Sequence, residues 1–193
     1  AAEILKNQSS GDATDSFLDS IDGGSGTPTS FLNDPSTSQN GSPLEIAKSF
    51  LGLKASDPKQ ARTLSAFFKK AGGVNVNPAT TAWCAAFLNS VLGASGIKGT
   101  GSLMAQSFLN FGTAVKKPTK GDIVVFERGA SGSGSGHVGI IAGVNENGTL
   151  QVLGGNQSGK TSIETFNTSR VLGYRRINQT IARGYVADSG ATA

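Results

Sequence analysis

The spacing of apolar residues changes partway along the chain, and each rhythm predicts a different kind of element. Between residues 43 and 112 the apolar positions recur at helical spacing, punctuated by caps and stops. Ser42-Pro43-Leu44-Glu45 reads as a capping box, with Pro at the first helical position, opening a helix to about residue 53. Asp57-Pro58 with Gln60 opens a second helix, whose stripe Ala61, Leu64, Phe68 and Ala71 ends at Gly72-Gly73. A third helix is expected from residue 80 or 81 to about 93. A short fourth is expected from 102 to about 111, closed by Gly112.

After Pro118 the pattern becomes short runs rich in Val and Ile, at residues 122–126, 137–144, 149–153 and 171–177, separated by Gly, Asn and Ser. Asn147-Gly148 between two of these runs signals a tight hairpin. Helices followed by an antiparallel meander predict an α+β fold. Residues 1–42 differ again: rich in Ser, Thr, Gly, Asp and Asn, they hold only short apolar pairs such as Phe17-Leu18 and Phe31-Leu32. Such a segment cannot bury enough surface to offset its ordering entropy, so it is expected to be ordered by a partner chain through those pairs. The expected organisation is an arm at 1–42, a folded domain at 43–178 and a tail at 179–193.

Composition sharpens this picture. The chain has 27 glycines in 193 residues, twice the usual share of about 7%, so long glycine-rich loops are expected. Residues 1–42 carry one Lys against six acids, a net −5, and residues 43–193 carry sixteen basic residues against seven acids, a net +9. A basic body suits an anionic polymer or simply a well-solvated surface. Aromatic residues are only 7% and no arginine-rich recognition helix is present, so nucleic acid is not an expected partner. No apolar run approaches the ~18 residues needed to span a bilayer, so membrane insertion is not expected. The first twenty residues lack an apolar core of about 7–15 residues, so no secretory signal is expected. One cysteine, Cys84, and one histidine, His137, allow no internal disulfide and make a zinc site, or any other metal or cofactor site, unexpected.

Those two residues are the candidate chemistry. Cys84 falls in the first turn of the third expected helix, where unpaired N–H groups and the helix dipole favour a thiolate. On that reading it should be alkylated quickly below pH 7. It also begins the spacing Cys84, Phe87, Leu88, Val91, which suits an ordinary small core residue. His137 opens an apolar strand directly after the loop 129–136, where a base is both anchored and reachable. Counting back from the Asn147-Gly148 turn sets residues 154–156 opposite the start of that strand, so Asn156 could fix the imidazole tautomer. Alone, His137 reads as a structural histidine and Asn156 as a turn residue; together with Cys84 they are far more specific.

Trp83-Cys84-Ala85-Ala86-Phe87, then Pro118–Phe126, then Gly136-His137-Val138-Gly139, then Gly154-Gly155-Asn156-Gln157 resembles the papain-like peptidoglycan peptidases of the NlpC and CHAP type, and among them the subgroup often carried by bacteriophages. The resemblance covers residues 44–177. It implies a helical half bearing the nucleophile packed on an antiparallel, SH3-like sheet bearing the base. It implies Cys84 as nucleophile, His137 as base, Asn156 as orienting residue, and hydrolysis of an amide in the stem or bridge peptide of the bacterial cell wall. Trp83, Gln157 and Gly136 are the expected oxyanion and groove residues, although a large aromatic such as Trp83 also suits the core.

Two departures matter. Many NlpC relatives have Asp before the cysteine and a second histidine, where this chain has Trp83 and none. CHAP relatives often have Glu two residues before the Asn, where this chain has Gly154. The third role therefore falls to Asn156 or Gln157, neither of which can carry charge.

Gly154–Thr161 also fits the phosphate-binding pattern G-x-x-x-x-G-K-[ST]. That loop must open a helix, and residues 162–168 are polar and β-branched with no helical stripe. Nucleotide binding is thus a remote alternative, and Lys160 either lines a groove for an anionic substrate or has no specific role. The main alternative to a hydrolase is an inert scaffold or adaptor of a virion. Delivery by a phage tail or lysis apparatus to the periplasm or cell wall, with residues 1–42 docking on other virion proteins, is the expected setting.

Overall fold

The computed structural model describes residues 41–178. All but the last two positions of the acidic arm, and the whole tail at 179–193, lie outside the described residues. The described part is α+β, as expected, with its helices first in the chain and its sheet after them.

Helix α1 spans Pro43–Lys48, capped by the Ser42 hydroxyl accepting from the Glu45 N–H. It ends well before the expected residue 53. Gly52 turns in the left-handed region at φ +87, and residues 52–55 bond instead to the far end of the chain. Gly52 N–H donates to Thr161 O, Thr161 N–H to Leu53 O, and Ala55 N–H to Gly159 O. Helix α2, Pro58–Ala71, is capped by Asp57, which accepts from the Lys59 and Gln60 N–H groups, and it buries Ala61, Leu64, Phe67 and Phe68.

Helix α3, Cys84–Ala94, is buried along Cys84–Leu92. It starts three or four residues later than expected because Asn77 O accepts from both the Thr80 and Thr81 N–H groups, holding that stretch as a turn. A 3-10 segment, Ala105–Asn110, replaces the expected fourth helix and buries Ala105 and Phe108. With poorer hydrogen-bond geometry than an α-helix, such segments stay short.

Six antiparallel strands form one sheet in the order β1-β6-β2-β3-β4-β5. They are β1 Thr113–Val115, β2 Ile123–Glu127, β3 Gly136–Val144, β4 Leu150–Gln157, β5 Lys160–Phe166 and β6 Val171–Arg176. Asn147-Gly148 turns β3 into β4 as predicted, with Gly148 at φ +80. β1 and β5 were not foreseen. β5 is an edge strand that mixes polar residues with an exposed Ile163, and β1 has only three residues.

Alternation along the strands divides the core in two. Ile123, Val125, Val138, Ile140 and Leu153 face the helices and join Phe50, Phe67, Phe68, Trp83 and Phe87. Val124, Phe126, Ile141, Leu150 and Val152 form the second cluster with Phe166, Val171 and Tyr174. Asp122 ties the start of β2 to the end of β6, accepting from Arg176 Nε at 2.9 Å and from an Arg176 terminal nitrogen at 2.8 Å. Burial alone would raise its carboxyl, but Arg176 and Thr119 hold it below the usual carboxylate range.

Candidate active site

Cys84 is the first residue of α3, and its position follows from how the sheet opens. Val125 pairs with Val138 and Phe126 with His137 across β2 and β3. Arg128 N–H donates to Ser135 O and Ile141 N–H to Asp122 O. In an antiparallel ladder hydrogen-bonded pairs alternate, so His137, Gly139 and Ile141 turn their N–H groups toward β2. Val138 turns its N–H the other way, toward β4. β4 pairs with β3 only between Ile140↔Leu153 and Val144↔Leu150, leaving the Val138 N–H without a ladder partner. The Cys84 sulfur occupies this opening: the Val138 N–H faces it and favours its thiolate, as do the N–H groups of Ala85 and Cys84 at the helix start.

Burial outweighs those three donors. Cys84 is 5% exposed, and desolvation pushes its thiol up from the ordinary value. The expectation of a helix terminus that depresses the thiol is therefore corrected, because the same helix carries the sulfur into the core.

His137 is completely buried. Its ring stands with Phe166 at 5.7 Å and Phe126 at 6.4 Å between centroids. Burial pushes its pKa down to about 4, against a smaller upward pull from Gln157. Its tautomer follows from its neighbours. The Gln157 amide nitrogen donates to Val152 O at 3.3 Å and to Ser162 O at 2.9 Å. Carbonyls only accept, so the other end of that amide, Oε1, is the atom at 3.0 Å from His137 Nε2. Nε2 must then carry the hydrogen. Nδ1 is left as a bare lone pair, buried and without a hydrogen-bond partner.

Cys84 lies in the helix-facing cluster against the Val138 N–H, whereas the imidazole stacks on Phe126 and Phe166 of the second cluster, and no hydrogen bond joins sulfur and ring. The Arg128 charge acts on both, favouring the thiolate and disfavouring the imidazolium. The arrangement offers a thiol held above its ordinary value beside backbone donors, and an imidazole whose Nδ1 is free to accept.

Gly154 and Gly155 make the arrangement possible. A Cβ on Gly154 would lie 2.6 Å from Gln157 Oε1 and 3.0 Å from His137 Nε2. A Cβ on Gly155 would lie 2.6 Å from the Trp83 ring and 2.7 Å from Phe87 Cβ. The two glycines therefore let β4 pass between the imidazole and the helix.

The remaining candidates separate. Gln157 meets the imidazole; Asn156, at φ +60, instead lines a cleft of about 820 Å3 with Arg62, Asn77 and Thr81. Trp83 is fully buried against Phe68 and Phe87, so it belongs to the core and not to a groove, and its indole Nε1 has no partner. Gly136 opens β3, where a Cβ would meet Phe126 O at 2.9 Å. The phosphate-loop alternative fails on geometry: Ser158 and Gly159 make a left-handed turn straight into strand β5, and no helix follows Lys160. Among the described residues no group of three or more His, Cys, Asp or Glu stands together to hold a metal.

No curated protein matches the chain. Residues 76–156, which run from the turn before α3 through His137 to Asn156, match the family model of the CHAP domain.

Proposed function

We propose that the protein hydrolyses an amide bond in the stem or bridge peptide of bacterial peptidoglycan, with Cys84 as nucleophile and His137 as base. The observation that carries this reading is the bare, unpartnered Nδ1 of His137, held in acceptor form by Gln157 beside the peptide that faces the sulfur. The thiol proton passes to Nδ1 as the sulfur attacks the scissile carbonyl carbon. Backbone N–H groups at the start of α3, including that of Cys84, stabilise the oxyanion. The imidazolium then gives its proton to the departing amine as the C–N bond breaks. Water, deprotonated by Nδ1, finally releases the acid from the thioester.

In this scheme the orienting role falls to Gln157, and Asn156 belongs to the cleft. Because the thiol is raised and the imidazole depressed, the pair reacts without a preformed thiolate–imidazolium, and proton transfer accompanies attack. Carriage on a phage particle or lysis apparatus, with the acidic arm as docking segment, belongs to the same proposal and rests on the motif resemblance.

A second reading, an inert scaffold, draws on the deep burial of both side chains and the missing bond between them. Mass spectrometry of fragments released from purified cell wall separates the two. The hydrolase yields a new amine and a new carboxyl at one stem or bridge amide, lost in Cys84→Ala. The scaffold yields no fragments.

A further inference from the structure

The cleft of about 820 Å3 lies beside the candidate active site without including Cys84 or His137. Its walls come from α2, the turn before α3 and the β4–β5 turn, and its polar lining includes Arg62, Ser65, Asn77, Thr80, Thr81 and Asn156. Two of these connect it to the chemistry through the chain: Thr81 lies three residues before Cys84, and Asn156 precedes Gln157. Its volume suits a ligand of small-peptide size, for which about 300–1,000 Å3 is usual.

The lining has a definite electrostatic character. Arg62 is the single charged residue on it, and no carboxylate lines it. Arg62 is exposed and makes no ion pair among the described residues. The Asn77 Oδ1 accepts from the Ala79 N–H at 3.0 Å, which leaves the Asn77 amide nitrogen as the end free to donate. The Ser65 hydroxyl donates to Val76 O at 3.0 Å. A permanent cation and an oriented amide donor, with no competing acid, suit a carboxylate. Neutral hydroxyls and amides around them suit a peptide backbone.

We infer that this cleft is a substrate subsite in which Arg62 and Asn77 hold a free carboxylate of the stem peptide, so that the adjoining amide is presented to Cys84. The inference rests on the proposed peptidoglycan reading and adds the chemical class recognised next to the scissile bond. Peptide stems carry such carboxylates; fully amidated stems do not. A wall phosphodiester polymer is also anionic, but the neutral amide and hydroxyl lining favours the peptide.

The test uses the full chain and soluble stem peptides with free carboxylates, the same peptides with every carboxylate converted to a carboxamide, and a wall phosphodiester polymer. Arg62→Gln should raise KM for the carboxylate peptide about tenfold with little change in kcat. It should leave the amidated peptide, already a poor substrate, unaffected. Arg62→Lys should recover part of the loss, and Lys98→Gln, on an exposed loop outside the cleft, should match the parent chain. Turnover of the carboxylate peptide with equal KM in Arg62→Gln overturns the subsite and leaves the hydrolase reading intact. Arg62-dependent binding of the phosphodiester polymer with none of the peptide overturns it as well. Absence of both turnover and binding of every stem peptide by the parent chain overturns the hydrolase reading together with the subsite.

Discussion

Gln157 holds His137 in a single tautomer: its Oε1 lies 3.0 Å from Nε2, while its amide nitrogen is committed to Val152 O and Ser162 O. The imidazole is therefore oriented by a neutral amide. A carboxylate there would stabilise the imidazolium, and Gln157 does so only weakly against the cost of burial.

Replacing that amide tests its role as a positioning residue. Gln157→Leu removes the acceptor at Nε2 and should lower kcat/KM for peptide release by tenfold or more, about the loss seen when a supporting residue is removed. Gln157→Glu puts a charge beside the imidazole and should shift the acid limb of the kcat/KM profile upward by roughly one unit or more. An unchanged pH profile in Gln157→Glu would show that the contact is structural only.

The depressed imidazole sets the parent profile. With a pKa of about 4, His137 stays neutral through mildly acidic conditions, and kcat/KM should hold down to about pH 5 before falling. Stability has its own window. The unfolded chain protonates this histidine near 6.5 and the folded chain only near 4, so folding is favoured above the higher value. That advantage is lost as pH falls from 6.5 to 4, at up to roughly 1.4 kcal/mol per pH unit. Urea titrations across this interval should show the midpoint dropping in the parent chain and dropping less in His137→Gln.

Thiol chemistry should follow burial. Because the Cys84 thiol is raised, iodoacetamide should label the resting protein slowly at pH 7 and faster as pH rises. Rapid labelling below pH 7 would mean that the thiolate is already formed and that proton transfer does not accompany attack.

The glycine pair offers a steric test. Gly155→Ala forces a Cβ against the buried Trp83 ring and Phe87, a strain of the kind that costs about 1–3 kcal/mol. Gly154→Ala crowds Gln157 and His137 and should reduce activity more than it lowers the melting temperature. Equal losses of both in the two variants would argue against this division of labour.

Much of the frame was legible from residues alone, because local signals and tertiary packing agree. Asp57-Pro58 with its apolar stripe defined α2, Asn147-Gly148 defined the β3–β4 turn, and the Val-rich runs defined β2, β3 and β6. Other features depend on partners distant in sequence. α1 stops early because residues 52–55 bond to residues 159 and 161, more than a hundred positions away. β5 is hard to read from residues alone because its polar and threonine positions leave Ile163 and Phe166 isolated, without a clean apolar run. The state of the Cys84 thiol is a balance between helix-end donors and burial, and burial is a property of the whole fold. Which of Asn156 and Gln157 meets the imidazole turns on one left-handed residue, Asn156, and on the register shift between Gly154 and Gln157.

The most direct test of the central claim is capture of the covalent intermediate. The full chain is mixed with purified cell wall, quenched in acid within seconds, digested and analysed by mass spectrometry. An acyl group in thioester linkage on the peptide carrying Cys84, absent from Cys84→Ala and scarce in His137→Gln, is the predicted result. Amide hydrolysis that persists in Cys84→Ala, or an acyl group carried on any other residue, would contradict the account.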